Sequence, residues 1–326
     1  ALHKRGAGTL RLDQAAAVQR TLVETGTLIG HAGSLSRRIE NAATVLFDQA
    51  TDSVFAGSLT GLNGVFGTMK KQGVGRLSLS GASHLDWSVA EGEVIAAIDR
   101  FSGDVDIASP AAFSFTDAGN QTYAGAVSGA GRFVLDRDGA TLLTGDSSTF
   151  GGLTTLNTGK LLVGDASGLG KLGGSLNVLN GATLGGSGVI GSGAASHVSI
   201  AAGGVLSPGN SIGTLTIDGD LTLAAGSTVN MELGAPGFSD RINVSGDLSL
   251  DGALNLSQSL NAADGAAGLG YYRLMTYGGV LSGAGIPALS ARSKAWPVDM
   301  CPLAPVGGGG VAGVVGLLAG LAPAAR

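Results

Sequence analysis

The 326-residue chain contains 58 glycines, 44% apolar residues and only 5% aromatic residues. Because the glycines follow no G-X-Y period and the apolar share is high, a collagen-like fibre and a disordered linker are both excluded. The formal net charge is −5 and the basic residues are scattered, so nothing indicates a nucleic-acid partner.

A long internal repeat organises the first half of the chain. The segment KRGAGTLRL at 4–12 matches KQGVGRLSL at 71–79. The segment VLFDQATDSVFAGSLTG at 45–61 matches FSFTDAGNQTYAGAVSG at 113–129, with nearly the same shift along the chain. Self-similarity at a fixed period is typical of repeat architectures.

One early segment favours a helix by composition. Ala and Gln are abundant in DQAAAVQRTLVE at 13–24, and both have good helix propensity. The adjoining ETGTLIG at 24–30 matches NTGKLLVG at 157–164, however, and this match predicts a strand and a turn at the end of the segment.

A shorter repeat runs through the second half. LNVLNGATLGGSGVIG at 176–191 matches VSIAAGGVLSPGNSIG at 198–213, and the start of the latter matches LTLAAGSTV at 221–229 with almost the same shift. We interpret the long repeat as three short ones. From 213 to 223 apolar or glycine residues alternate strictly with polar ones, as in strands that have one buried face.

The two repeats predict an all-β solenoid with about 22 residues per turn. Short strands could also form a sandwich, but a sandwich does not require that sequence-adjacent units resemble each other. A solenoid does, because each turn of chain lies on the previous one. Aromatic scarcity fits a thin core of Leu, Val and Ile, and glycine fits the corners, where positive φ is accessible.

Residues 235–290 form a candidate cap on the stalk of residues 1–234. The alternation changes phase at DRINVSG (240–246), and aromatic residues gather in YYRLMTYGG (271–279). Because the end of a solenoid exposes strand edges, such a segment is expected to cover them.

Residues 291–326 are rich in Gly, Ala and Pro and show no alternation, so we expect an aberrant, out-of-frame or disordered tail. Within it, GGGGVAGVVGLLAGLA at 307–322 approaches the length of a membrane helix but is very rich in glycine. Cys301 is the single cysteine, so an intrachain disulfide is excluded.

Three short patterns resemble catalytic or nucleotide-binding loops, and each is incomplete. TGDSSTFGG at 144–152 places Ser147 in a loop like that of a serine nucleophile, but no histidine has supporting local sequence. Gly186, Gly188 and Gly191 have dinucleotide-loop spacing, yet another strand follows them where a helix is needed. GDASGLGKL at 164–172 departs from a phosphate-binding loop at two required positions, Asp165 and Leu172. The four histidines are His3, His31, His84 and His197.

Carboxylate pairs two residues apart are a further candidate chemistry. Side chains at i and i+2 of a strand face the same way, so such a pair could act on a glycosidic bond, although a solvated outer face explains it equally well. The pairs are Asp104 with Asp106, Asp136 with Asp138, and Asp218 with Asp220. Trp87 is either an outward aromatic of a binding patch or, as we expect, a core residue that shares a face with Leu85 and Val89.

Several segments resemble the passenger domains of bacterial autotransporters, the type V secreted proteins. GATLGGSGVIG at 181–191, the long run at 203–234 and SDRINVSG at 239–246 are similar to the passenger-associated transport repeat. ENAATVLFDQATDSVFAGSLTG at 40–61 and KQGVGRLSLSG at 71–81 are similar to the upstream repeats of the same proteins.

The resemblance covers about residues 4–285 and implies a right-handed parallel β-helix displayed outside the cell or released from it. It also implies export through an outer-membrane translocator barrel as a partner, and an autochaperone-like segment next to the barrel that nucleates folding, which we expect in the cap at residues 235–290. We expect that barrel and the leader to be missing from this chain, since no run of alternating membrane strands follows residue 290.

The sequence therefore predicts a monomeric structural stalk with an adhesive or virulence-associated role and a host-surface or matrix ligand. No catalytic, cofactor-binding or metal-binding residue is assigned. Two alternatives stay open: the stalk of an enzyme-bearing passenger whose catalytic domain is absent here, and a β-helix that acts on polysaccharide by itself.

Overall fold

The computed structural model describes residues 1–15, 17–268, 270–284, 289–291, 298–299 and 313–319. It is an all-β structure in which parallel strands form a β-solenoid of about 12 turns with roughly 22 residues per turn. The fold class predicted from the repeats is confirmed. The helical content of the described ranges is two short 3-10 helices, Ile98–Arg100 and Ala262–Asp264.

The chain forms two compact units, the first made of residues 1–139 and 145–154 and the second of residues 140–144 and 155–326. Two strands, β17 and β19, contribute residues to both units. The strands up to β19 are β1 (Leu2–Lys4), β2 (Thr9–Leu12), β3 (Arg20–Val23), β4 (Thr27–Gly30), β5 (Arg38–Asn41), β6 (Thr44–Asp48), β7 (Ser53–Phe55), β8 (Ser58–Gly61), β9 (Thr68–Gln72), β10 (Arg76–Leu79), β11 (Trp87–Val89), β12 (Glu93–Ala96), β13 (Val105–Ile107), β14 (Ala112–Phe115), β15 (Gln121–Tyr123), β16 (Val127–Gly129), β17 (Arg132–Leu143), β18 (Asp146–Ser147) and β19 (Leu153–Val163).

Three stacks of parallel strands build the first unit. One face contains β1, β3, β5 and β8, and the second contains β2, β4, β6, β9, β11, β13 and β16. The third contains β7, β10, β12, β14 and the first part of β17. Trp87 lies opposite Met69 and Val105, so these turns are short, whereas the turn from Thr44 to its partner Thr68 is longer. Turn length varies because insertions enter at the corners.

The segment at 13–24 ends in a strand, as the repeat match predicted. Arg20–Val23 forms β3, which pairs in parallel with β1 and β5. Its helix propensity is weak evidence because burial of Thr21, Leu22 and Val23 and pairing with two neighbouring turns decide the conformation.

Aromatic side chains concentrate in the core of the first unit. Phe115 is completely buried, and its ring lies 5.1 Å from the ring centroids of Phe113 and Tyr123 and 5.9 Å from that of Phe133. Trp87 is 1% exposed, packs 5.8 Å from Phe47 and donates its indole N–H to Ser83 Oγ. The core interpretation of Trp87 is confirmed, but the expectation of an aliphatic core holds less well in this unit.

The spacing of the long repeat suggested three whole turns, and this interpretation is wrong. Phe47 lies on β6 of the second face, and its repeat partner Phe115 lies on β14 of the third. The two rings make the same edge-to-face contact at 5.1 Å, with Phe55 and Tyr123 respectively. The long repeat therefore covers three turns plus one face, because turns in this unit are on average shorter than the sequence predicted.

The same shift places a buried cation in one strand of each of the three faces. Lys4 is the last residue of β1, Lys71 lies near the end of β9, and Arg137 lies within β17. The ammonium group of Lys71 donates to the carbonyls of Gln72, Gly73 and Glu91, and that of Lys4 does the same to Arg5, Gly6 and Thr25. Carbonyls that turn inward at a corner lose their strand partners, and these side chains supply the donor.

Arg137 differs in its partners. It is 2% exposed and binds Asp117 through both Nε and a terminal nitrogen, each at 3.0 Å, and it also donates to the carbonyl of Gly119. A bidentate pair of this kind compensates a buried charge better than a single contact does.

The second unit is built in the same way from the remaining strands. They are β20 (Lys171–Leu172), β21 (Ser175–Val178), β22 (Thr183–Gly186), β23 (Val189–Ile190), β24 (His197–Ile200), β25 (Val205–Pro208), β26 (Thr214–Ile217), β27 (Asp220–Leu223), β28 (Thr228–Leu233), β29 (Arg241–Val244), β30 (Leu248–Leu250), β31 (Ala253–Gln258), β32 (Gly270–Tyr277), β33 (Leu281–Ser282), β34 (Leu289–Ala291), β35 (Val298–Asp299) and β36 (Gly313–Ala319).

The turns of the second unit lengthen along the chain, and the strand pairings of its faces record this. Along β21, β24, β27, β30 and β33, the turn from Leu176 to its partner Val198 is short, and the turn from Leu221 to Leu248 is longer. Along β20, β23, β26, β29 and β32, the turn lengthens further, and Ile242 lies opposite Met275. The remaining face contains β22, β25, β28, β31 and β34.

Glycines with positive φ mark one corner of three consecutive turns in this unit. Gly181, Gly203 and Gly226 have φ values of 82°, 77° and 85°, and the N–H of each of the first two donates to the carbonyl of the next. The short sequence repeat therefore records the stacking of one corner.

Much of the predicted tail lies outside the described residues, as does Cys301. Leu289–Ala291 pairs in parallel with β31, and Gly313–Ala319, within the Gly-rich stretch, is a strand antiparallel to β32. A search of the described residues finds no helix long and apolar enough to span a membrane. The division at residues 234 and 290 stays a prediction.

We predict that Phe115→Ala destabilises the protein by about 3–5 kcal/mol, because it removes a completely buried ring from the aromatic core. Phe66, which is 69% exposed, provides the matched control, and Phe66→Ala should change the stability by no more than about 0.5 kcal/mol. Urea unfolding followed by circular dichroism measures both. Equal effects of the two substitutions would contradict the aromatic core.

We predict that Lys71→Met lowers the free energy of unfolding by about 1–3 kcal/mol, because three inward-facing carbonyls lose their donor. Lys70, the preceding residue of the same strand, is exposed, so Lys70→Met is the control and should be nearly neutral. The same urea titration applies, and a Lys71→Met variant as stable as Lys70→Met would show that the corner does not need the ammonium group.

Candidate functional site

Ser147 is part of the scaffold. It is 3% exposed, and its hydroxyl oxygen accepts the backbone N–H of Val127, one turn earlier, at 2.8 Å. Three of the histidines bind other groups: His3 contacts Glu24, His31 the carbonyl of Asp13, and His84 the hydroxyl of Ser102. None of these contacts pairs Ser147 with a histidine that could act as its base.

The two glycine-rich patterns are corners. Gly186 and Gly191 have φ values of 100° and 96°, and the next regular element after them is the strand β24, as the sequence predicted. In the segment 164–172, Asp165 accepts the N–H of Ser167 and donates its own N–H to the carbonyl of Leu169, so it closes a tight turn.

The carboxylate pairs connect successive turns. Asp104 accepts the N–H of Ala126 at 2.7 Å, and Asp106 accepts the hydroxyl of Ser128 at 3.0 Å. In the second unit, Asp218 accepts the hydroxyl of Ser245. The carbonyl of Asp138 accepts the N–H of Gly119. The first three contacts use the carboxylate and the last uses the backbone carbonyl, and all four join neighbouring turns.

A recurring group of corner aspartates does the same, and sequence reasoning missed it. In each, one carboxylate oxygen accepts a backbone N–H of the following turn at 2.6–2.9 Å. The signal that could have found them is an Asp at a strand end beside a Gly-containing turn. The corner aspartates are Asp52, Asp86, Asp104, Asp220, Asp247 and Asp251.

Among the residues that the structure describes, no group of three or more His, Cys, Asp or Glu side chains is placed to hold a metal ion.

Asp240 is the most perturbed carboxyl group of the second unit. It is 1% exposed, and its two oxygens accept the N–H groups of Gly213 and Glu232 at 2.9 and 2.8 Å. Burial raises the pKa of Asp240 to about 7, although the two N–H donors favour the ionised form, and the charges of Glu232 and Asp264 raise it further. A single side chain thus holds the end of β28 against the corner at residue 213.

A polar groove of about 500 Å³ lies beside this corner, on the outer side of β25, β28 and β31. Alternate residues of these strands point outward, and those that line the groove are partly exposed, except for the exposed Ser257. We define the polar groove by Ser207, Thr228, Asn230, Glu232, Asn255 and Ser257.

The polar groove is a ladder in register. Asn230 lies opposite Asn255, and Glu232 lies opposite Ser257, in the parallel pairing of β28 with β31. The amide of Asn255 donates to the side-chain oxygen of Asn230 at 3.1 Å. The groove therefore presents amide, hydroxyl and carboxylate groups on three consecutive turns.

One comparison with known proteins is informative. No protein-family profile matches the chain. A segment of 99 residues is 41% identical to the adhesin BmaC autotransporter of Brucella suis biovar 1 (strain 1330). The match covers 30% of this chain and 3% of that protein, so the chain spans a small part of the length of this relative.

The solenoid and this match together fit an autotransporter passenger domain, and the resemblance predicted from the sequence is confirmed. The match and the stacked turns together support a passenger-like role.

We predict that the protein loses stability as the pH rises from 5 to 8. The folded-state pKa of Asp240, about 7, lies above its ordinary value of 3.8, so the folded state binds a proton that the unfolded state releases between these values. The contribution is complete below the lower value and is lost as the pH rises through about 7, and about 1–3 kcal/mol of it is lost between pH 5 and pH 8.

The measurement is urea unfolding at pH 5 and pH 8 for the wild type and for Asp240→Asn, which cannot titrate. The wild type should show the larger drop. A wild type that gains stability over this range relative to Asp240→Asn would show that the N–H donors outweigh burial.

Proposed function

We propose that this chain is part of a surface-displayed or secreted passenger, in which it serves as a structural stalk and contributes to adhesion. The observation that carries the proposal is the match to a protein named an autotransporter adhesin, on a chain whose turns stack as a solenoid. A stalk that is stabilised between neighbouring turns needs no central globular core to hold its outward side chains in place.

We further propose that the chain has no catalytic centre of its own. Four of the side chains that resembled catalytic groups in the sequence are occupied in contacts between turns, namely Ser147, Asp104, Asp106 and Asp218. A nucleophile requires a base within hydrogen-bond reach, and a glycosidase requires two carboxyl groups free to face one bond.

Export through an outer-membrane translocator barrel, and host-surface or matrix molecules as ligands, belong to the same proposal. Low charge content and mostly local stacking suit a chain that crosses a pore unfolded and then folds turn by turn. The monomeric state predicted from the sequence is retained in this proposal.

The proposal is tested by fusing the chain to an unrelated outer-membrane barrel and displaying it on a non-adherent bacterium. We expect binding to epithelial cells or to immobilised matrix proteins to rise by about tenfold over the barrel alone, since many displayed copies act together. Surface exposure is checked by antibody labelling of intact cells. Well-displayed chain with adhesion equal to that of the barrel alone would contradict the adhesive role.

A further inference from the structure

We propose that the polar groove of the second unit binds a neutral glycan chain. This inference rests on the proposed adhesive function and assigns a ligand class and a site to it. The groove has a volume of about 500 Å³ and is formed by the outward side chains of β25, β28 and β31.

The chemistry of the polar groove selects the ligand. Asn side chains carry both donors and acceptors, and Ser and Thr hydroxyls can act as either. Sugar hydroxyls have the same double capacity, so each can be matched. An ionised carboxylate such as that of Glu232 can accept hydrogen bonds but cannot donate them, and its two oxygens can receive two hydroxyl groups.

The same residues argue against other ligands. The polar groove contains no Lys or Arg, so a phosphate, a sulfated glycan or another acidic polymer would face Glu232 without a counter-charge. Its lining contains two apolar side chains, the half-buried Val205 and the buried Leu256, and no aromatic one, so an apolar peptide finds little surface for its anchors.

The geometry suits a chain of repeating units. Asn230 and Asn255 present the same amide group on neighbouring turns, and their strands lie about 4.8 Å apart. Thr228 extends the row of outward polar groups along the same strand as Asn230 and Glu232. A polymer with a hydroxyl-bearing unit at each step can therefore repeat its contacts along the groove.

The polar groove is held in one arrangement before any ligand binds. The bond from Asn255 to Asn230 fixes the two amides relative to each other. Glu232 is anchored through its backbone, because its N–H donates to the buried Asp240 and its carbonyl accepts the N–H of Asp240. Preorganised polar groups lose less entropy on binding.

The experiment measures binding of the full chain to immobilised neutral glycans, namely mannan, dextran, galactan and chitin oligosaccharides, with heparin and polysialic acid as charged comparisons. We expect at least one neutral glycan to bind and the charged ones not to. Asn230→Val and Asn255→Val, which suit a strand but remove the amides, should each weaken binding by about tenfold.

Asn243→Val is the matched control. Asn243 also points outward from a strand and accepts a hydrogen bond from a neighbouring turn, the hydroxyl of Thr276 at 2.9 Å, but it lies on another face. It should leave glycan binding within about twofold of the wild type. If Asn230→Val does not fold by circular dichroism, the nearly isosteric Thr228→Val gives the same readout from the adjacent outward position.

Three results would overturn the assignment: no neutral glycan binds, only charged glycans bind, or the Asn230 and Asn255 variants bind as tightly as Asn243→Val. The adhesion assay with the displayed chain distinguishes the failure of the glycan site from the failure of the proposed adhesive role. Adhesion that persists in Asn230→Val leaves the adhesive role standing with another site. Glycan binding by a chain that confers no adhesion removes the adhesive role and leaves the groove as a binding site.

Discussion

Parallel pairing between successive turns is the constraint on which this structure depends. Each strand satisfies its backbone groups on the turn before and the turn after, and a buried backbone group without a partner is costly. Corners break this pairing, so their N–H and C=O groups need partners from side chains. Lys71 supplies donors at one corner, and corner aspartates such as Asp104 supply acceptors at others. Several polar residues that resemble catalytic groups in the sequence therefore serve to satisfy backbone groups at the corners.

The same constraint explains why function is expected on the outer surface. Inward positions are filled by side chains such as Phe115 and Leu206, and corner side chains are committed to contacts between turns. The outward positions of the strands face solvent, so they can present polar side chains to a partner. In the polar groove, Asn230 and Asn255 occupy such positions, and their alignment follows from the register of the two strands. A stalk of this kind can carry binding groups without a separate domain.

The sequence predicts the element type and the stacking well, because both leave a local pattern. The alternation from 213 to 223 corresponds to β26 and β27, and the repeats at Gly181 and Gly203 record a stacked corner. The phase of the long repeat could not be predicted, since its spacing does not state the length of each turn. The long turn from Leu221 to Leu248 arises from insertions at corners, which alternation does not register.

The candidate site was harder to predict than the fold. Asp104 and Asp218 have the spacing of a catalytic pair, and only their partners on the next turn show what they do. The polar groove was missed because Asn230 and Asn255 are distant in the sequence, and their proximity becomes visible only once the length of that turn is known. The weak signal was present in TVNMEL and ALNLSQ, where Asn occupies the same outward position.

The strand register between turns of different length is tested most directly by disulfide cross-linking in the second unit. Thr222 lies opposite Ser249, so Thr222→Cys with Ser249→Cys, in a Cys301→Ser background, should form a disulfide under mild oxidation, because neighbouring strands bring the two Cα atoms within the required distance of about 4.4–6.8 Å. Thr222→Cys with Ser245→Cys, the pairing that a turn as short as the preceding one would require, should remain reduced. Cross-linking of the second pair and not the first would contradict the stacking described above.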